Sequence, residues 1–122
     1  MKKDPGFNIC KAEILAVQDA LELLKGKWKV KIIGALIYFE EARFSEIEKM
    51  IGKITPKMLS KELRELEINK IVKRTEFDTP LSVKYELTAH GKSCKKLIIA
   101  LYEWGSQHRE KIIEDYPISE QN

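Results

Sequence analysis

Cysteine is scarce in this chain. Cys10 and Cys94, two among 122 residues, are too few for a disulfide framework and imply a reduced, cytoplasmic protein. Long apolar runs are missing too. The longest, around Val30 to Phe39, contains Lys31 and falls short of the ~18 residues that a membrane span needs. Lys2 and Lys3 are not followed by an uncharged apolar segment, so no secretory signal is expected. Histidine is rare as well: His90 and His108 stand apart, with no cysteine or carboxylate at metal-ligand spacing. Nowhere is there a Gly-rich phosphate loop, a G-x-S-x-G elbow, an H-E-x-x-H pair or a plausible triad. The expectation is therefore no enzyme, no metal and no cofactor. Charge of one sign is lacking: 22 basic and 19 acidic residues leave +3, so placement must carry any argument for a polyanionic partner. Repeats and low-complexity segments are absent. With 43% hydrophobic and 34% charged residues, residues 1–122 read as one globular domain.

What is present centres on residues 45–69. Ser45-Glu46-Ile47-Glu48 has the form of a capping box that opens a short helix, and Gly52 breaks it. Thr55-Pro56 starts a second helix, with Thr as N-cap and Pro at the first helical position. Two helices joined by a short turn containing glycine are a helix-turn-helix. In the second, Leu59, Leu63 and Leu66 fall on one face at helical spacing. Lys57, Ser60, Lys61 and Arg64 fall on the other, toward the N-terminal end, which in such a motif lies deepest in a major groove. Arg and Lys donate to guanine O6 and N7, and Ser can donate or accept. A solvated amphipathic helix with ordinary surface lysines is the competing reading, and the flanking chain must decide.

Before this motif, Asn8 can cap a helix over residues 8–25, with Cys10, Ile14, Val17, Leu21 and Leu24 on one stripe. After Gly26, residues 28–39 read as a helix that is apolar nearly all round, hence central. Lys27, Lys29 and Lys31 at its start suit either a DNA backbone or simple solvation. Residues 40–43 read as a polar link that includes Arg43. After the motif, residues 71–87 change to a β pattern: Ile71 to Phe77 is rich in β-branched and aromatic residues, and Val83, Tyr85 and Leu87 alternate with Lys84 and Glu86. The residues between them, 78–82, form a loop too long for a two-residue turn. Helix-turn-helix followed by a hairpin is a winged helix, so the fold class is α+β, mainly α. The wing's basic residues, Lys73, Arg74 and Lys84, suit phosphates more than bases.

Thr88 caps a final helix over residues 89–116 that Pro117 stops. Cys94, Leu97, Ile98, Leu101, Trp104, His108 and Ile112 line it at steps of three and four. One small domain has little core left for so long an apolar face. The first and last helices are thus expected to pair with their copies through Ile14, Val17, Leu21, Leu97, Leu101, Trp104 and His108. A two-fold dimer sets two recognition helices roughly 34–36 Å apart, one turn of B-DNA. The other arrangement is a monomer whose long helix folds back on its own core.

In this order the elements resemble those of the HxlR-type winged-helix transcriptional regulators, relatives of the MarR group. The resemblance rests on Cys10, Gly26-Lys27-Trp28-Lys29, Arg43-Phe44-Ser45-Glu46-Ile47, Ile54-Thr55-Pro56-Lys57-Met58-Leu59, Leu63-Arg64-Glu65-Leu66-Glu67, Val83-Lys84-Tyr85-Glu86-Leu87-Thr88 with Gly91, and Trp104-Gly105. It implies a homodimeric regulator that binds a pseudo-palindromic operator in double-stranded DNA, with the 55–69 helix in the groove and the 78–83 loop as wing. Thr55, Lys57, Ser60, Lys61, Arg64, Arg43 and Lys84 are then the expected DNA contacts. Lys70 stands where the family has glycine, so Asn69 is expected to supply the left-handed turn. Thr79-Pro80-Leu81-Ser82 replaces the family's paired prolines and Arg. Some members sense oxidants or electrophiles through a cysteine near the position of Cys10. Here Cys10 would lie in the first turn of its helix, where the dipole and Lys11 favour a thiolate; equally, it continues an apolar stripe as a small hydrophobe. Cys94, also on an apolar stripe, reads as packing. A winged helix used only for docking proteins is the alternative function, and it would replace the Lys57, Lys61 and Arg64 face with apolar residues.

Overall fold

The computed structural model describes residues 10–77 and 83–115. Helices α1 (Lys11–Leu24) and α2 (Lys29–Phe39) are followed by a short strand β1 (Glu41–Ala42), then by α3 (Phe44–Ile51) and α4 (Pro56–Ile68). Strands β2 (Val72–Thr75) and β3 (Lys84–Leu87) come next, and the one-turn helix α5 (Ala89–Lys92) leads into α6 (Cys94–Asp115). The mainly helical winged-helix class expected from the sequence is what the chain adopts.

Helix α2 is the hub, as its all-round apolarity requires. Ile32, Ile33 and Leu36 are fully buried, and the same cluster takes in Ile47 of α3, Leu59, Leu63 and Leu66 of α4, and Val72, Tyr85 and Leu87 of the sheet. The strands run antiparallel in the order β1-β3-β2, with Ala42 and Arg74 both opposite Tyr85 and Val72 opposite Leu87. Residues 40–43 are therefore more than a polar link. Ala42 is buried and completes a third strand, too short at two residues for any alternation to announce it.

Several local expectations change. Helix α3 starts at Phe44, so the reaching carboxylate is Glu46, which accepts from the Arg43 N–H at 2.8 Å, and not Glu48. Cys10 precedes α1 as its N-cap, one position outside the first turn, with its own N–H donated to Glu13 at 2.8 Å. Asn8, the expected cap, lies outside the described residues, as do the loop at 78–82, Tyr116 and Pro117. At the end of α4 the left-handed residue is Lys70, with φ +64°, and not Asn69, with φ −84°. The Asn69 amide instead donates to the Glu65 carbonyl at 2.9 Å, while Lys70 and Ile71 N–H groups close on Glu67 and Leu66 carbonyls. That pattern needs a left-handed residue at the position after the cap, whatever its side chain.

The expected final helix is divided at Ser93. Thr88 caps its first turn as predicted, accepting from the Gly91 N–H at 2.8 Å, and its hydroxyl also lies 2.7 Å from the Lys70 carbonyl. Gly91 presses against the start of β2 so closely that a Cβ there would stand 2.1 Å from the Ile71 carbonyl oxygen. This glycine is a point of backbone contact and not merely a weak helix former.

Candidate nucleic-acid interface

The turn between α3 and α4 is made by Gly52 and Lys53, with φ +69° and +55°, and Thr55 then accepts the Met58 N–H at 3.1 Å with Pro56 at the first helical position. These two devices fix where α4 begins. The leucine stripe fixes which way it faces: Leu59, Leu63 and Leu66 are at most 2% exposed. Lys57, Ser60, Lys61 and Arg64 are consequently exposed together, as one polar ridge, and Thr55 is exposed at its head. Arg43, exposed at the head of α3, is the other expected contact on the helix-turn-helix.

Strand alternation sorts the wing. Val72, Arg74, Tyr85 and Leu87 share the face turned to α4, whereas Lys73, Thr75, Lys84 and Glu86 share the opposite one. Lys84 accordingly pairs with Glu41 at 3.3 Å and covers the Phe77 ring at 5.6 Å. Arg74, read from sequence only as one of three wing cations, instead shares a cleft with Ser60, Arg64 and Glu67 of α4. It is held by Glu76 at 2.5 Å, and Glu76 followed by the Tyr85 hydroxyl raises its pKa. The period-2 pattern contained this signal, because Arg74 has the parity of Val72.

Lys29 departs furthest from expectation. Grouped in sequence with cations that could reach a DNA backbone, it is buried, its ammonium 2.5 Å from Glu62 and 2.6 Å from Glu65 of α4. Burial alone would lower its pKa, but the hydrogen bonds and charges of Glu62 and Glu65 together outweigh that and leave it raised. Glu65 is lowered, by its hydrogen bond and charge contact with Lys29 first and by Lys61, at 3.6 Å, after that. Lys27 and Lys31 remain outside, 5.0 and 5.1 Å from the centre of the Trp28 ring.

The residues expected at a subunit seam are uncovered in the single chain. Ile14, Val17 and Leu21 on α1, and Leu97, Leu101, Trp104 and His108 on α6, are all exposed, with Trp104 stacked on His108 at 4.8 Å. From α6 only Cys94 and Ile98 reach the core, so the helix does not fold back along it. Cys94 is half-buried and its thiol is pushed up by burial; Cys10 is exposed and did not find an apolar niche within the chain. Among the described residues, no three His, Cys, Asp or Glu side chains are grouped to hold a metal, and no helix is long and apolar enough to cross a membrane.

Residues 23–113 match the sequence model of the HxlR-like helix-turn-helix family. The HTH-type transcriptional regulator YtcD of Bacillus subtilis is 34% identical over 102 residues, 83% of this chain and 80% of that protein. Among solved structures, the redox regulator HypR in its reduced form superposes with a TM-score of 0.74 at 32% identity, over 81% of this chain and 98% of HypR. The reduced form of the transcriptional regulator YodB from B. subtilis superposes with a TM-score of 0.70 at 34% identity, over 82% and 94%. These relatives are transcriptional regulators, not enzymes. Fold, sequence match and structural likeness agree, and the chain belongs to the HxlR-like helix-turn-helix family of transcriptional regulators.

Proposed function

We propose that the protein is a homodimeric, sequence-specific binder of double-stranded DNA that regulates transcription from a pseudo-palindromic operator. The observation that carries this reading is the polar ridge on α4: Lys57, Ser60, Lys61 and Arg64 are presented outward because the leucines opposite them are sealed in the core. Arg64 and Lys61 read bases; Thr55, Arg43 and Lys84 meet backbone phosphates, and Arg74 joins them beside α4. A docking module would offer a partner protein apolar side chains here, and this ridge has none.

Binding of the protein's own upstream DNA and of a scrambled duplex, each at two salt concentrations, tests the proposal. A specific reader prefers the upstream DNA and keeps that preference as salt weakens both. Equal binding to both duplexes sinks sequence reading. In the same assay Arg64→Ala is expected to cost about 1–3 kcal/mol on the operator and to blur one or two base pairs. Uniform weakening on every sequence reassigns Arg64 to the backbone.

A response to oxidants or electrophiles through Cys10 is part of the proposal. Its support is the exposure of Cys10 at the head of α1, next to the expected dimer seam, together with likeness to a protein described as a redox regulator. An exposed thiol there can be modified without opening the fold, and a change at the seam alters the spacing of two recognition helices. Treatment with an electrophile should change operator affinity in the wild type and leave Cys10→Ser unmoved; equal responses in both remove the sensor.

A further inference from the structure

We infer that Lys29 is a positioning residue for operator reading: clamped between Glu62 and Glu65, it fixes the rotation of α4 about its own axis without touching DNA. This deepens the proposed function and rests on it. A helix seated on a single stripe of leucines is held in depth but can rock, since apolar packing has no direction. On one flank of α4 the sheet opposes rocking, because β2 packs beside the helix and Leu63 and Leu66 share one buried cluster with Val72 and Tyr85. The other flank faces an open cleft of about 530 Å³, bordered by Asp19, Glu22 and Leu23 of α1. Closure from α1 is loose: Leu23 and Leu24 pack against the core only half-buried, and that helix has no fully buried residue.

Lys29 supplies the missing restraint from across that cleft. Glu62 and Glu65, one turn apart, lie by helical geometry between the leucine stripe and the DNA-facing ridge. Hydrogen bonds at 2.5 and 2.6 Å to two carboxylates are directional in a way that leucine packing is not. The restraint reaches the ridge itself. One Glu65 oxygen holds Lys29 and the other holds Lys61, 3.6 Å away, so the chain Lys29–Glu65–Lys61 ends on an expected base contact. Lys29 and Lys61 together balance the charges of Glu62 and Glu65, so this flank of α4 carries no net negative charge.

The test separates position from folding. Lys29→Met leaves Glu62 unpaired and Glu65 with Lys61 alone, and can cost stability as well as specificity. Lys29→Met combined with Glu62→Gln and Glu65→Gln removes the stranded charges and deletes the clamp together with its last link, from Glu65 to Lys61. Both variants and wild type are compared by thermal melting and by their affinities for the upstream DNA and for the scrambled duplex. In the triple variant, melting near the wild-type temperature with operator preference reduced by about tenfold or more, the equivalent of one misplaced base contact, is the expected result. A merely structural role would leave that preference intact in a folded triple variant, and that outcome overturns the inference. If wild type itself shows no preference, the operator-reading proposal falls first and takes this one with it.

Discussion

Two single residues carry much of the geometry behind α4. Gly91 touches the backbone at the start of β2, and a methyl group there would meet the Ile71 carbonyl oxygen at 2.1 Å. That oxygen already accepts the Thr88 N–H at 3.0 Å, so neither side can move freely. Gly91→Ala should therefore destabilise the fold by about 3 kcal/mol, the upper range for overpacking, measured as a lowered urea midpoint with unchanged slope. A loss within experimental error would mean that α5 can lift off β2. Lys70 poses the opposite case. It occupies the left-handed region at φ +64°, which costs an L residue about 1–2 kcal/mol, against an entropic penalty of about 0.5–1 kcal/mol for glycine. Lys70→Gly should stabilise by about 0.5–1 kcal/mol, the difference of those two effects. A lower melting temperature in that variant would show that the lysine side chain contributes more than its backbone conformation costs.

At the scale of elements, the α2–α4 contact predicts a pH dependence. Glu65 has a depressed pKa, so its share of the stability is complete above its ordinary value of about 4.5 and is lost as pH falls through the lower, folded one. Lys29 is raised, so its share is complete below its ordinary 10.5 and is lost as pH rises through the higher, folded value. Between those limits the clamp is whole, and melting temperature should be flat across neutral pH with a fall on the acid side. In Glu65→Gln the acid fall should be smaller; an identical acid profile would assign it to other carboxylates. The sequence revealed α4 because its signals are local: Thr55-Pro56 marks the start, and the spacing of Leu59, Leu63 and Leu66 marks the buried face. The same reasoning could not find the partner of Lys29, because Glu62 lies 33 residues away and periodicity says nothing about which helices meet. Nor could it find β1, whose two residues belong to a sheet only because Tyr85 is opposite. The break at Ser93 was hidden as well: there the N–H and the hydroxyl of Ser93 both turn back on the His90 carbonyl, which helical spacing does not announce.

At the scale of the whole molecule, the distribution of apolar side chains has a consequence for assembly. The fully buried core takes nothing from α1 or α6, which only rest Leu23, Leu24, Cys94 and Ile98 against it, and Leu21, Leu101, Tyr102 and Trp104 stand 48–71% exposed on those two helices. Apolar faces of this length and continuity, on elements flanking the helix-turn-helix, are best covered by the same faces of a second copy. Under the proposed function, two-fold pairing through α1 and α6 would present two α4 ridges to one side of a duplex, the second binding as a tethered ligand rather than a free one. Replacing Leu21 and Leu101 together by glutamate should produce monomers in sedimentation equilibrium, because both positions are outside the core and the individual fold is left intact. Operator affinity should then fall by about 100-fold or more, the usual gain from linking two sites, while binding to scrambled DNA falls far less. The salt slope on the operator should halve at the same time, since each protomer contributes its own phosphate contacts. Dimers that survive both glutamates would locate the seam elsewhere on the surface. Monomers that still bind the operator at wild-type strength would mean that one ridge suffices, and the paired geometry would lose its purpose.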